Sequence, residues 1–129
     1  MAEKTTKPAY SLDEFTELAG RLVDMVPARF CRDLNGGFLI LPEARPDEEF
    51  YIMGEYVEDP VMGSYIVLHY GSFVAVLEDE TREVWEDELW ETILHELQHH
   101  LETMAGVDDL ARAELAELAR WREEQERQG

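Results

Sequence analysis

The chain has 129 residues, 30 of them acidic and 11 basic, for a formal net charge of −19. Its length suits a single domain, and a 45% hydrophobic content excludes a fully disordered acidic chain. The charge repels phosphate backbones and anionic headgroups, so neither nucleic acid nor a membrane surface is an expected partner.

Residues 1–10 read as a flexible arm. Ser11 is the expected N-cap of a first helix, with Glu14 as its capping-box partner. Leu12, Phe15, Leu18, Ala19, Leu22, Val23 and Val26 then recur at helical spacing, and Pro27 ends the run. Asn35-Gly36-Gly37 signals a turn. Phe38–Leu41 reads as a short strand stopped by Pro42, and residues 42–49 as a polar loop. Phe50–Val57 reads as a second strand, with Gly54 marking a bulge or a close approach. Tyr65–Tyr70 is the strongest strand, suited to a central position or to a sheet edge. Ser72–Leu77 suits either a strand or a short helix capped by Ser72. A long helix is predicted from about Glu80 to Ala105, with Gly106 as its stop. Leu110, Ala111, Leu115, Leu118 and Trp121 place one apolar face on a last helix, which gives way to a polar tail over 124–129. The expected fold is α+β, with one domain over 11–123. It comprises an N-terminal helix, a small mixed or antiparallel sheet, the long helix over 80–105 and a C-terminal helix. No stretch approaches the ~20 apolar residues of a membrane span. Met1 to Pro8 has no apolar signal core, and the single cysteine, Cys31, gives no disulfide framework. A cytoplasmic location is expected.

Charge and histidines cluster together. Residues 78–109 hold 12 acids and one base, Arg82, together with three of the four histidines. Within them, residues 95–99 read His-Glu-Leu-Gln-His. Four residues apart on a helix is one face, so His95 and His99 can present two imidazoles to one metal ion. Glu96 can reach a water on that metal and act as general base. At about 100° per residue, His99 falls about 40° from His95, whereas Leu89, Trp90, Ile93, Leu94, Leu97 and Leu101 fall about 120–260° away. The histidine pair thus opposes the apolar stripe, and Glu96 lies on the border. His100 falls inside the apolar arc and reads as a core or supporting histidine. His69, on a strand, reads as structural. Imidazole and carboxylate ligands suit Zn2+.

These residues resemble the minimal zincins, a bacterial and archaeal family of small zinc metallopeptidases with a stripped-down fold. The resemblance spans roughly residues 10–110. It rests on YIVLHYG before the helix, on ETILHELQHH, and on the acidic stretch after Gly106. Family members are similar in carrying H-E-x-x-H-x-x-G-x-x-D, where Gly breaks the helix and Asp is the third ligand. Here Glu102 stands where that Gly is expected, and the Gly-x-x-Asp element comes four residues later, as Gly106-Val107-Asp108-Asp109. Four residues are about one helical turn. The resemblance implies Asp109 as third metal ligand, by its offset from Gly106. Glu102, on the histidine face, is the alternative, and Asp108, Glu114 and Glu117 are further carboxylates. Tyr56, Tyr65 and Tyr70 border the expected cleft, with core packing as their expected role.

The resulting expectation is a zinc-dependent peptidase, with Glu96 catalytic and a peptide or protein as substrate. The acidic field favours basic peptides. The alternatives are a metal-binding or interaction module without hydrolytic activity, and a metal-free acidic partner-binding domain.

Overall fold

The computed structural model describes residues 7–128. The arm expected over 1–10 lies outside the described residues up to position 6. Its described end is part of the fold: Tyr10 is buried and its hydroxyl donates to Glu86 (2.6 Å). Helix α1, Leu12–Met25, begins at the expected capping box. The Glu14 amide donates to Ser11 Oγ, and the Ser11 amide to Glu14 Oε1. It buries Phe15, Leu18 and Ala19. A short 3-10 helix, Ala28–Cys31, follows Pro27.

Strand β1, Gly37–Leu41, pairs in parallel with β5, Gly63–His69, placing Phe38 beside Ile66 and Leu41 beside His69. Strand β4, Gly54–Asp59, pairs antiparallel with the other side of β5. The sheet order β1-β5-β4 makes the strong apolar strand central and leaves β4 as an edge. Both edge strands show partial burial, whereas β5 buries Ile66, Val67, Leu68 and His69.

Two local readings change. The expected loop 42–49 contains β2, Pro46–Asp47, which pairs with β3, Phe50–Tyr51. The expected strand 50–57 is therefore two strands. The Ile52 amide bonds back to the Arg45 carbonyl, and the Met53 carbonyl accepts from the His69 amide, so the chain changes partner there. Residues 72–76 belong to helix α2, Tyr70–Val76, and Leu77 is its C-cap. Ser72 does not cap it: Ser72 is fully buried and its Oγ accepts from the Arg45 amide. Gly71 permits this approach, since a Cβ there would sit 2.2 Å from the Ala44 nitrogen.

Helix α3, Arg82–Ala105, is capped by Thr81, whose Oγ1 accepts from the Val84 amide. It is the spine of the molecule. Trp85, Leu89, Ile93, Leu97 and Leu101 pack into one core with Phe15, Phe30, Ile66, Leu68 and Phe73. The Trp85 indole N–H donates to the Leu77 carbonyl (2.9 Å), which satisfies the one polar atom of that fully buried side chain. Gly106 closes α3 one turn later than the family pattern implies. Helix α4, Asp109–Gln128, returns along α3 and continues helical through most of the expected polar tail. The α+β architecture read from the sequence is the one observed. Among the described residues, no helix is long and apolar enough to cross a membrane.

Candidate metal centre

The site is built on the middle of α3, which packs against α4, β4 and α1. The wheel arithmetic holds: His95 and His99 are exposed, whereas Leu94, Leu97 and His100 are buried. The two histidine Nε2 atoms lie 3.0 Å apart, with their rings edge to face. Two tetrahedral Zn–N bonds of about 2.0–2.1 Å put their nitrogens roughly 3.3 Å apart. The pair therefore converges on one point, as an ion of that size requires. Glu102 meets His99 from the other side, with Oε1 3.3 Å from Nδ1. Glu102 thus meets the ring at the nitrogen that does not face His95, with both side chains about half exposed.

Glu96 is 7% exposed despite its charge. Burial pushes its carboxyl above the ordinary range. His95 and His99 pull it down, Glu55 pushes it up, and the Tyr56 backbone amide, donating to it, pulls it down. Raised basicity suits a group that must take a proton and then return it.

Strand β4 forms the facing wall. Because His69 and Met53 are a hydrogen-bonded pair, alternation assigns Glu55 and Val57 to the β5 side. The backbone N–H and C=O groups of Gly54, Tyr56 and Glu58 then point outward at the free edge. Gly54 brings that edge onto the helix: a Cβ there would lie 2.6 Å from Thr92 Cγ2 and 3.3 Å from Glu96 Cγ. The groove between them has a volume of about 370 Å3. Ile52, Met53 and Gly54 line one side, and Thr92, His95 and Glu96 the other, with Glu91 and Arg122 at the α4 end.

The other expected carboxylates lie elsewhere. Asp109, in the first turn of α4, is 93% exposed and pairs with Arg112. Asp108 accepts from the Leu110 amide and pairs with Arg32 (2.9 Å). Glu114, almost fully buried, also binds Arg32 (2.8 Å), and Glu117 binds Arg29. Among the described residues, no group of three His, Cys, Asp or Glu side chains is gathered to hold a metal. The structure brings together His95, Glu96, His99 and Glu102, and does not bring Asp109 to them.

His100 is fully buried and ties three parts of the fold together. Its Nε2–H donates to the Arg32 carbonyl (2.7 Å), so its Nδ1 accepts from the Tyr56 hydroxyl (2.9 Å). The Tyr70 hydroxyl donates to the Tyr10 carbonyl, so neither of these tyrosine hydroxyls is free for the groove. Tyr65 packs over Gly36. His69 is buried against Glu55 (2.6 Å), which also meets Arg45. Sequence reading missed Glu55, Thr92 and Arg122. Only Arg122 left a signal: it follows Ala111, Leu115 and Leu118 on the apolar stripe of α4, where a charge is out of place.

The structure thus sets two histidines on a central helix, a buried glutamate beside them and an edge strand across a groove. The chain matches the family described as zincin-like metallopeptidase over residues 41–121, and it belongs to that family. It is also similar to a solved structure, a conserved hypothetical protein from Thermo thermophilus. The two are 40% identical, with a TM-score of 0.66, and the match covers 76% of this chain and 100% of that one. No curated protein matches.

Proposed function

We propose that the protein is a zinc-dependent peptidase whose catalytic residue is Glu96. The observation that carries this is the convergence of His95 and His99 Nε2 within 3.0 Å, on the exposed face of α3, beside a buried glutamate in a groove. His95 and His99 would hold the zinc, which when bound would supply an acidified water and a Lewis acid for the scissile carbonyl. Glu96 accepts the proton of the attacking water and delivers it to the leaving amine. The outward backbone groups of β4 other than the Tyr56 amide, which Glu96 engages, pair with an extended substrate chain and hold it along the groove. Glu102 orients His99. The third metal position is assigned to Asp109, whose carboxylate is tied only within its own helix at Arg112, with Glu102 as the alternative. The acidic surface around α3 draws in basic peptides over distance.

Glu96→Gln tests the reading. The variant retains zinc with a stoichiometry near that of the parent and loses peptide cleavage. If it cleaves as well as the parent, Glu96 is not the base. His95→Ala loses the metal. A second reading, a metal-binding module without hydrolysis, is favoured by the absence of a gathered third ligand among the described residues. It predicts zinc binding by the parent with no cleavage across a broad peptide library.

A further inference from the structure

Arg122 is the one guanidinium or ammonium among the residues lining the groove, whose other charged groups are Glu91 and Glu96. It stands on the apolar stripe of α4, seven residues after Leu115 and four after Leu118, a position that calls for a hydrophobic side chain. The side chain is 23% exposed. Its two terminal nitrogens reach across to α3, one to Gln98 Oε1 (2.9 Å) and the other to Glu91 Oε2 (3.0 Å). Glu91 and Gln98 bracket His95, four residues before it and three after it on the same helix face. The guanidinium is therefore clamped beside the first histidine, at the end of the groove away from β4.

A purely structural tie between α3 and α4 accounts for part of this arrangement. It does not account for the spare donors or for the groove. A guanidinium has five N–H donors in a rigid fork, and these two contacts use two of them. Gln98 is neutral and fixes the fork without neutralising it. Glu91 supplies the balancing charge, yet its side chain is 53% exposed, so it can turn to water and yield its place. A fork held this way in the lining of the groove has donors left for a second carboxylate.

We propose that Arg122 anchors a carboxylate of the substrate beside the scissile bond. The carboxylate is either the C-terminal carboxylate or an Asp or Glu side chain. This rests on the peptidase reading for the identity of the groove's occupant, and it adds a local preference opposed to the long-range field. The acidic surface gathers cationic chains; Arg122 selects, at contact distance, the one that presents an acid at the right place.

The test measures binding apart from cleavage. Zinc-loaded Glu96→Gln protein is titrated with one peptide in four matched forms: free C-terminal acid or amide, each with Asp or Asn beside the central bond. The forms carrying a carboxylate bind at least about 10-fold tighter than the amide-Asn form, in keeping with a charge-assisted pair. The terminal-acid and Asp forms show which carboxylate is meant. Adding Arg122→Gln erases the preference to within about twofold, and Arg122→Lys keeps part of it. Glu91→Gln, which removes the competing carboxylate, strengthens binding of the acidic forms several-fold and keeps the test valid if Arg122→Gln fails to fold. Equal binding of all four forms, or a preference that survives Arg122→Gln, overturns the proposal. Cleavage by the unsubstituted protein is read separately. A carboxylate preference without cleavage overturns hydrolysis and keeps the anchor; cleavage without the preference overturns the anchor alone.

Discussion

Gly54 is where the sheet edge meets α3, and Gly54→Ala probes that contact with a single methyl group. The new Cβ would sit 2.6 Å from Thr92 Cγ2, where ordinary contact begins near 3.4 Å, and 3.3 Å from Glu96 Cγ. Gly54 is not among the residues with positive φ, so the substitution carries no backbone strain. Its cost is overpacking alone, about 1–3 kcal/mol. Loss of unfolded-state freedom returns roughly 0.4–1 kcal/mol. The net loss of about 1–2 kcal/mol corresponds to a fall in thermal midpoint of roughly 3–8 °C for a chain of this size. Because the nearer clash is with one methyl, Thr92→Ser removes it while keeping the hydroxyl that donates to the Glu88 carbonyl (2.7 Å). The Gly54→Ala/Thr92→Ser pair therefore recovers most of the stability. The residual 3.3 Å contact on Glu96 still shifts the carboxyl, so cleavage recovers less completely than folding. Thermal unfolding followed by circular dichroism on the four members of the cycle measures this. An additive cycle, or a Gly54→Ala protein as stable as the parent, would refute the reasoning.

Removing the buried imidazole with His100→Leu strands the Tyr56 hydroxyl and the Arg32 carbonyl; denaturant unfolding should show a loss of roughly 2–4 kcal/mol. If Asp109 is the third ligand, Asp109→Asn lowers zinc affinity at least about 10-fold in a competition titration, whereas Glu102→Gln has the smaller effect of a supporting group. The reverse order would move the assignment to Glu102. The Arg32 guanidinium, with the Leu110 amide, holds Asp108 below the usual carboxylate range. A depressed folded value contributes stability that is present above the unfolded value near 3.8 and is lost as pH falls through the folded value. Thermal midpoints should therefore drop below about pH 4, and Asp108→Asn should flatten that drop. Burial pushes the Cys31 thiol up, so its alkylation at neutral pH should run several-fold slower than that of an unfolded control.

The elements with a repeating apolar pattern were legible before the structure. Helix α1 carried its capping box in Ser11 and Glu14, and α3 carried a stripe opposite its histidines. What escaped depended on partners far away in sequence. The break between Phe50–Tyr51 and β4 is set by which strand accepts each backbone amide, and the residues themselves are equally good strand formers on both sides of it. Ser72 looked like a cap because caps are local, yet its hydroxyl is taken by an amide 27 residues away. The histidine pair was legible because helical geometry fixes residues four apart. The far side of the groove was not, because it depends on the register of β4 against α3 and of α4 against α3. Arg122 alone was detectable, as a charge in an apolar row.

The concentration of charge around α3 resolves into separate tasks once partners are known. Glu86 accepts from the Tyr10 hydroxyl, Asp108 binds Arg32, and Glu102 lies beside His99. Glu96 is buried, and Glu91 occupies Arg122. The carboxylates that line the groove are Glu91 and Glu96, beside one guanidinium and the His95 imidazole. A divalent cation at His95 and His99 would offset most of their charge and lower the cost of keeping Glu96 ionised. Zinc should therefore stabilise the fold beyond the mass action of two imidazoles alone, and Glu96→Gln should shrink that gain. Thermal midpoints of parent and variant across a zinc titration measure the difference. An equal gain in both would mean that Glu96 is not electrostatically coupled to the metal position.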